Sequence, residues 1–76
     1  MDETATTHDH LREVLKTARH NARLTQELLA ELSGTSVRPI YVFETSKGSI
    51  KLDTYLKLLH SLGLELQVVP RKPRQP

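Results

Sequence analysis

Between Thr25 and Lys47 the 76-residue chain sets Thr25, Gln26, Ser36, Arg38, Tyr41 and Lys47 in a short span. These side chains suit recognition better than bond-breaking. A guanidinium can meet a guanine edge with two parallel hydrogen bonds or hold a phosphate, and a phenol can reach a phosphate or lie against a thymine methyl. Hydroxyls, an amide and an ammonium can hold phosphate oxygens. Catalytic chemistry has no comparable grouping. Asp53 and Glu65 have no partner at a recognisable spacing, and neither a glycine-rich phosphate loop nor a Ser/His/Asp pattern occurs, so no enzymatic activity is expected. Four His invite a metal, but His8 and His10 are two apart and diverge on a helix, and no Cys is present. Neither a metal nor a cofactor is expected.

Recognition residues need rigid elements to hold them, and the stretch TQELLAELSGTSVRPIYVFE from Thr25 to Glu44 supplies two. Thr25 is a good N-cap, and Leu28, Leu29 and Leu32 follow at helical spacing. Ala30 lets a second helix cross closely, and Gly34 sits where a positive φ is easiest. Ser36 can cap again, and Val37, Ile40 and Phe43 form an inward stripe on a second helix. Two helices joined by a short Gly-containing turn make a helix-turn-helix, whose second helix can enter the DNA major groove. A plain αα-hairpin would need only the caps and the glycine; the joint placement of Gln26, Ala30, Gly34 and Ile40 is more specific.

On this reading Thr25 and Gln26 anchor a phosphate at the first helix's N-terminus, and Ser36, Val37, Arg38 and Tyr41 lie towards DNA from the second. Val37 is counted on both sides, as part of the inward stripe and as a residue near DNA. Pro39 biases Arg38 away from helical geometry, so the second helix is expected to start later than Ser36 suggests. Lys47, in the turn-rich TSKGS loop, is a further phosphate contact, together with that loop's backbone N–H groups. Arg19 and Arg23 are phosphate candidates too. Glu44 is expected to be structural, paired with a basic group.

Residues 1–7 read as a flexible lead-in, 8–69 as one domain and 70–76 as a basic, proline-broken, disordered tail. A first helix opens near His8 or Asp9, with Leu11, Val14, Leu15 and Ala18 on one face and charge elsewhere on a solvated one, and ends at His20-Asn21 with Asn21 left-handed. Leu24 staples the next helix. After the loop, Leu52, Tyr55, Leu56, Leu59 and Leu62 space as the inward face of a fourth helix ending at Gly63, and a second apolar edge, Leu58 with Leu62, can meet another subunit. Leu64, Leu66 and Val68 then alternate with Glu65, Gln67 and Val69 as a short strand. A lone strand needs a mate, and a second copy is the simplest one.

Charge adds a direction. Residues 1–46 hold five basic and seven acidic groups and residues 47–76 six and two, so the net +2 comes from the later half. The absence of Cys suits a reducing cytoplasm, and no apolar run is long enough to span a membrane.

LTQELLAELSG followed by VRPIYVFETSKG resembles the Cro/repressor-type, or xenobiotic-response-element, family, and VRPIYVFETSKGSIKLDTYLKLLHSLGLELQVVPR is similar to HipB-like antitoxins, over roughly Leu11 to Arg71. The resemblance implies a mainly α fold: a four-helix repressor-like helix-turn-helix domain with a C-terminal β-strand pairing across a homodimer. It also implies a transcriptional repressor that binds double-stranded operator DNA and neutralises a HipA-like kinase toxin. Val37, Pro39 and Val42 depart from the more polar pattern of repressors. Two alternatives stay open: a toxin-inhibiting interaction module with little specific DNA binding, and a stand-alone phage-type repressor.

Overall fold

A computed structural model describes residues 3–70, with side chains from Thr7 onward. Four helices follow one another: α1 Glu3–Asn21, α2 Gln26–Ser33, α3 Val37–Glu44 and α4 Leu52–Ser61. The basic tail from Arg71 lies outside the described residues.

α1 begins at Glu3, ahead of the start expected near His8. Nothing in the sequence interrupts it: no Gly or Pro precedes Gly34, and an acidic residue in the first turn is favoured by the helix dipole. Its end also differs from expectation. Asn21 is the last helical residue, and the left-handed position falls at Arg23 (φ 59°). There the Arg23 N–H donates to His20 O at 2.9 Å and the Leu24 N–H to Arg19 O at 3.2 Å. The same closure recurs at Gly34 (φ 68°), Ser46 (φ 64°) and Gly63 (φ 76°), so every helix stops through a left-handed residue.

Leu15, Leu29, Ala30, Ile40, Phe43, Tyr55, Leu58 and Leu59 form one buried core, flanked by Leu11, Leu24, Ile50 and Leu62. α2 packs on both α3 and α4, and α1 packs on α3. Phe43 and Tyr55 meet edge to face at 5.8 Å, and the Tyr55 hydroxyl donates to Leu11 O at 2.9 Å, tying α4 to α1. Burial pushes the Tyr55 phenol up.

Three expected faces are rotated. On α2 only Leu29 of the leucine stripe is buried, beside Ala30, while Leu28 and Leu32 are exposed. On α4 Leu58 is fully buried, whereas Leu52 and Leu56 are exposed, so Leu58 is a core residue and not a free edge. On α3 Val37 is exposed, which removes it from the inward stripe. α2 packs on both α3 and α4, and of its residues Leu29 and Ala30 are the ones buried.

Residues 64–70 after α4 are irregular, with no strand among the described residues. The strand expected over 64–69 is thus not formed, since no second extended segment among the described residues shares a ladder with it.

Candidate nucleic-acid interface

α2 and α3 make the corner. The Thr25 hydroxyl accepts from the Leu28 N–H at 3.0 Å, so the expected cap forms, and Leu24 just before it packs on the core. The Gly34 turn closes with the Thr35 N–H donating to Ala30 O at 3.0 Å. Ser36 is the N-cap of α3, yet its side chain makes no capping bond. A serine cap reaches the second or third amide of the helix, and here the third residue is Pro39, which has no N–H.

That placement resolves the proline. α3 starts directly after Ser36, earlier than expected, because Pro39 falls in the first turn, where an N–H has no helical acceptor to lose. Arg38 accordingly adopts helical geometry.

A buried ion pair fixes the corner to α1. Arg19 donates from Nε to Glu44 Oε2 at 2.8 Å and from an η-nitrogen to Oε1 at 2.7 Å, and its other η-nitrogen donates to Leu24 O at 2.8 Å. Gln26 Nε2 donates to the same Glu44 Oε1 at 2.9 Å. One carboxylate thus binds α1, α2 and α3. Burial pushes the Glu44 carboxyl up, but hydrogen bonds from Arg19 and Gln26 with the Arg19 charge outweigh it and hold the group below its ordinary range. The hydrogen bond to Glu44 raises Arg19 further.

The expected role of Glu44 therefore stands, while Arg19 is removed from the phosphate candidates: its side chain is only 10% exposed and all its donors face protein. Arg12 leaves the solvated face as well. Its Nε donates to Phe43 O at 2.7 Å, its η-nitrogen pairs with Asp9 at 2.6 Å and the guanidinium lies 5.3 Å from the centre of the Phe43 ring. Gln26 is half-buried and spends one N–H on Glu44, with a second available.

What remains outward on α3 is Val37, Arg38 and Tyr41, within an arc of about 100° at the helix repeat. Arg38 borders an open cleft of about 370 Å³ lined also by Pro39, Val42, Ser49, Lys51 and Thr54. Among the described residues the ion pairs are Arg12–Asp9, Lys16–Glu13 and Arg19–Glu44, so Arg38, Lys47 and Lys51 are left uncompensated. The Ser46 and Lys47 backbone N–H groups, expected to approach a phosphate, instead donate to Phe43 O and Val42 O to close α3; the Lys47 side chain is exposed. Sequence reasoning missed Ser49, Lys51 and Thr54. The signal was the change of charge balance at residue 47, which marked the region without choosing a lysine.

Among the described residues no group of three His, Cys, Asp or Glu is placed to hold a metal, and no helix is long and apolar enough to cross a membrane.

Comparison with protein-family models and with curated proteins finds no match. Among solved structures, a chain of a toxin–antitoxin module from Streptococcus pneumoniae superposes with a TM-score of 0.76 at 36% identity, covering 95% of this chain and 84% of that one. The chain belongs to that toxin–antitoxin family. That likeness supports an antitoxin role.

Proposed function

We propose that this chain is a non-enzymatic antitoxin that binds operator DNA as a homodimer, represses transcription, and holds a toxin inactive. The observation that carries the DNA reading is the uncommitted outer side of α3. Arg38 and Tyr41 are exposed there beside Lys47 and Lys51, while Arg12 and Arg19 are spent on the protein's own backbone and Glu44. In this reading Arg38 reads a base edge, and Gln26, Thr25, Ser36, Lys47 and Lys51 hold phosphates, with Val37 and Tyr41 against sugar or methyl surface.

The toxin partner rests on family membership, and its identification as a HipA-like kinase on the resemblance to HipB-like antitoxins in the sequence from Val37 to Arg71. Dimerisation rests on Leu64, Leu66 and Val68, all exposed in the irregular segment after α4. The exposed Leu52 and Leu56 of α4 add apolar surface for the same contact. For two copies of α3 to read adjacent half-sites, that dimer must hold them about 34–36 Å apart, one turn of DNA.

Mobility shifts on the promoter of the chain's own operon test the DNA arm. Arg38→Ala should cost about 1–3 kcal/mol and flatten discrimination between sites, whereas Lys51→Ala should weaken all sites alike and lower the salt slope. Wild-type binding no tighter than to random duplex would leave the interaction module as the surviving reading.

A further inference from the structure

The rotation of α2 leaves a surface that DNA recognition does not use. Leu28 and Leu32, one turn apart, point away from the buried Ala30 and are 47% and 64% exposed. Glu27 and Glu31, also one turn apart and exposed, run along one edge of this pair, and among the described residues neither takes part in an ion pair. α2 contains no basic residue. Two exposed leucines one turn apart on an eight-residue helix form an apolar patch open to a partner.

The charge selects among occupants. DNA is repelled by the paired carboxylates, and a second copy meeting this face across a two-fold axis would set four carboxylates against one another. A protein surface with an apolar cleft rimmed by Lys or Arg satisfies both parts. We propose that the Leu28–Leu32 stripe is the anchor of the toxin-docking surface, its leucines seated in such a cleft with Glu27 and Glu31 at the rim. This rests on the toxin-partner reading above. Because the stripe shares no side chain with the cationic α3 side, antitoxin bound to DNA still presents it, and a ternary complex can form.

The test titrates the full chain with the purified product of the adjacent reading frame. Leu28→Ser with Leu32→Ser should weaken binding by on the order of tenfold or more, as for loss of a buried anchor, while helix content, dimerisation and DNA affinity stay at wild type. Glu27→Lys with Glu31→Lys, which keeps the leucines, should weaken binding at low salt and much less at high salt. If both variants bind within about twofold of wild type, the toxin docks elsewhere and this assignment is wrong, although the partner reading survives. If wild type itself does not bind that product, the partner reading fails and the surface with it. Loss of dimerisation in the leucine variant would show the stripe to be a self-interface, which also overturns the proposal.

Discussion

Glu44 is the residue on which most of the local order converges. It accepts from Arg19 twice and from Gln26 once, at the point where α1, the start of α2 and the end of α3 meet. Removing one member of such a pair leaves the other charge buried, so Glu44→Ala should destabilise by about 3–5 kcal/mol, while Glu44→Gln, which keeps an acceptor, should lose less. Urea denaturation measures both. The pH dependence follows from the direction of the shift: a carboxyl held below its ordinary range contributes stability above its unfolded value and loses it as pH falls through the lower folded one. Wild type should therefore weaken below about pH 4, and Glu44→Gln should show a flatter acid limb in the same titration.

The ends of the helices divide into two kinds. Gly34 and Gly63 carry positive φ without a Cβ, whereas Arg23 and Ser46 carry it with one. At Gly34 an added Cβ would meet nothing within 4 Å, so Gly34→Ala isolates the backbone strain and should cost about 1 kcal/mol. Ser46→Gly should act in the opposite sense, with a gain of about 0.5 kcal/mol once the extra freedom of the unfolded glycine is deducted. Thermal melts of the two variants should move in opposite directions. Pro39 belongs to the same scale: it deprives Ser36 of a capping target, and it leaves that hydroxyl exposed beside the outer side of α3.

At the scale of the molecule the chain is polarised. Among the described residues Arg38, Lys47 and Lys51 lie outside any ion pair on α3 and the loop after it, Glu27 and Glu31 are exposed on α2, and apolar side chains stay exposed on α4 and in residues 64–69. The last group gives the dimer prediction. Leu66→Pro removes a donor from the segment expected to pair with its two-fold mate, and it should abolish dimerisation and DNA binding together while helix content is kept. Sedimentation reads the first, and a variant that stays dimeric would move the contact to Leu52 and Leu56.

The number of central helices, the Thr25 cap and the Gly34 corner were legible in the sequence because each depends on residues close together or on an intrinsic backbone preference, whereas the partner that makes Glu44 structural, Arg19, lies 25 residues away. Gly34 needs only its missing Cβ, and Thr25 needs only the amide three residues on. Which leucines face inward was not legible. Leu28 and Leu29 have the same chemistry, and Leu56 and Leu58 likewise, so the choice between them depends on where α2 crosses α3 and α4. The fate of the arginines was equally hidden. Arg12, Arg19 and Arg38 all read as surface cations, and only the approach of Phe43 O and Glu44 across the fold withdrew the first two and left Arg38 free. Local preferences are written along the chain, while the rotation of a helix about its axis and the partner of a long side chain are decided when distant segments meet.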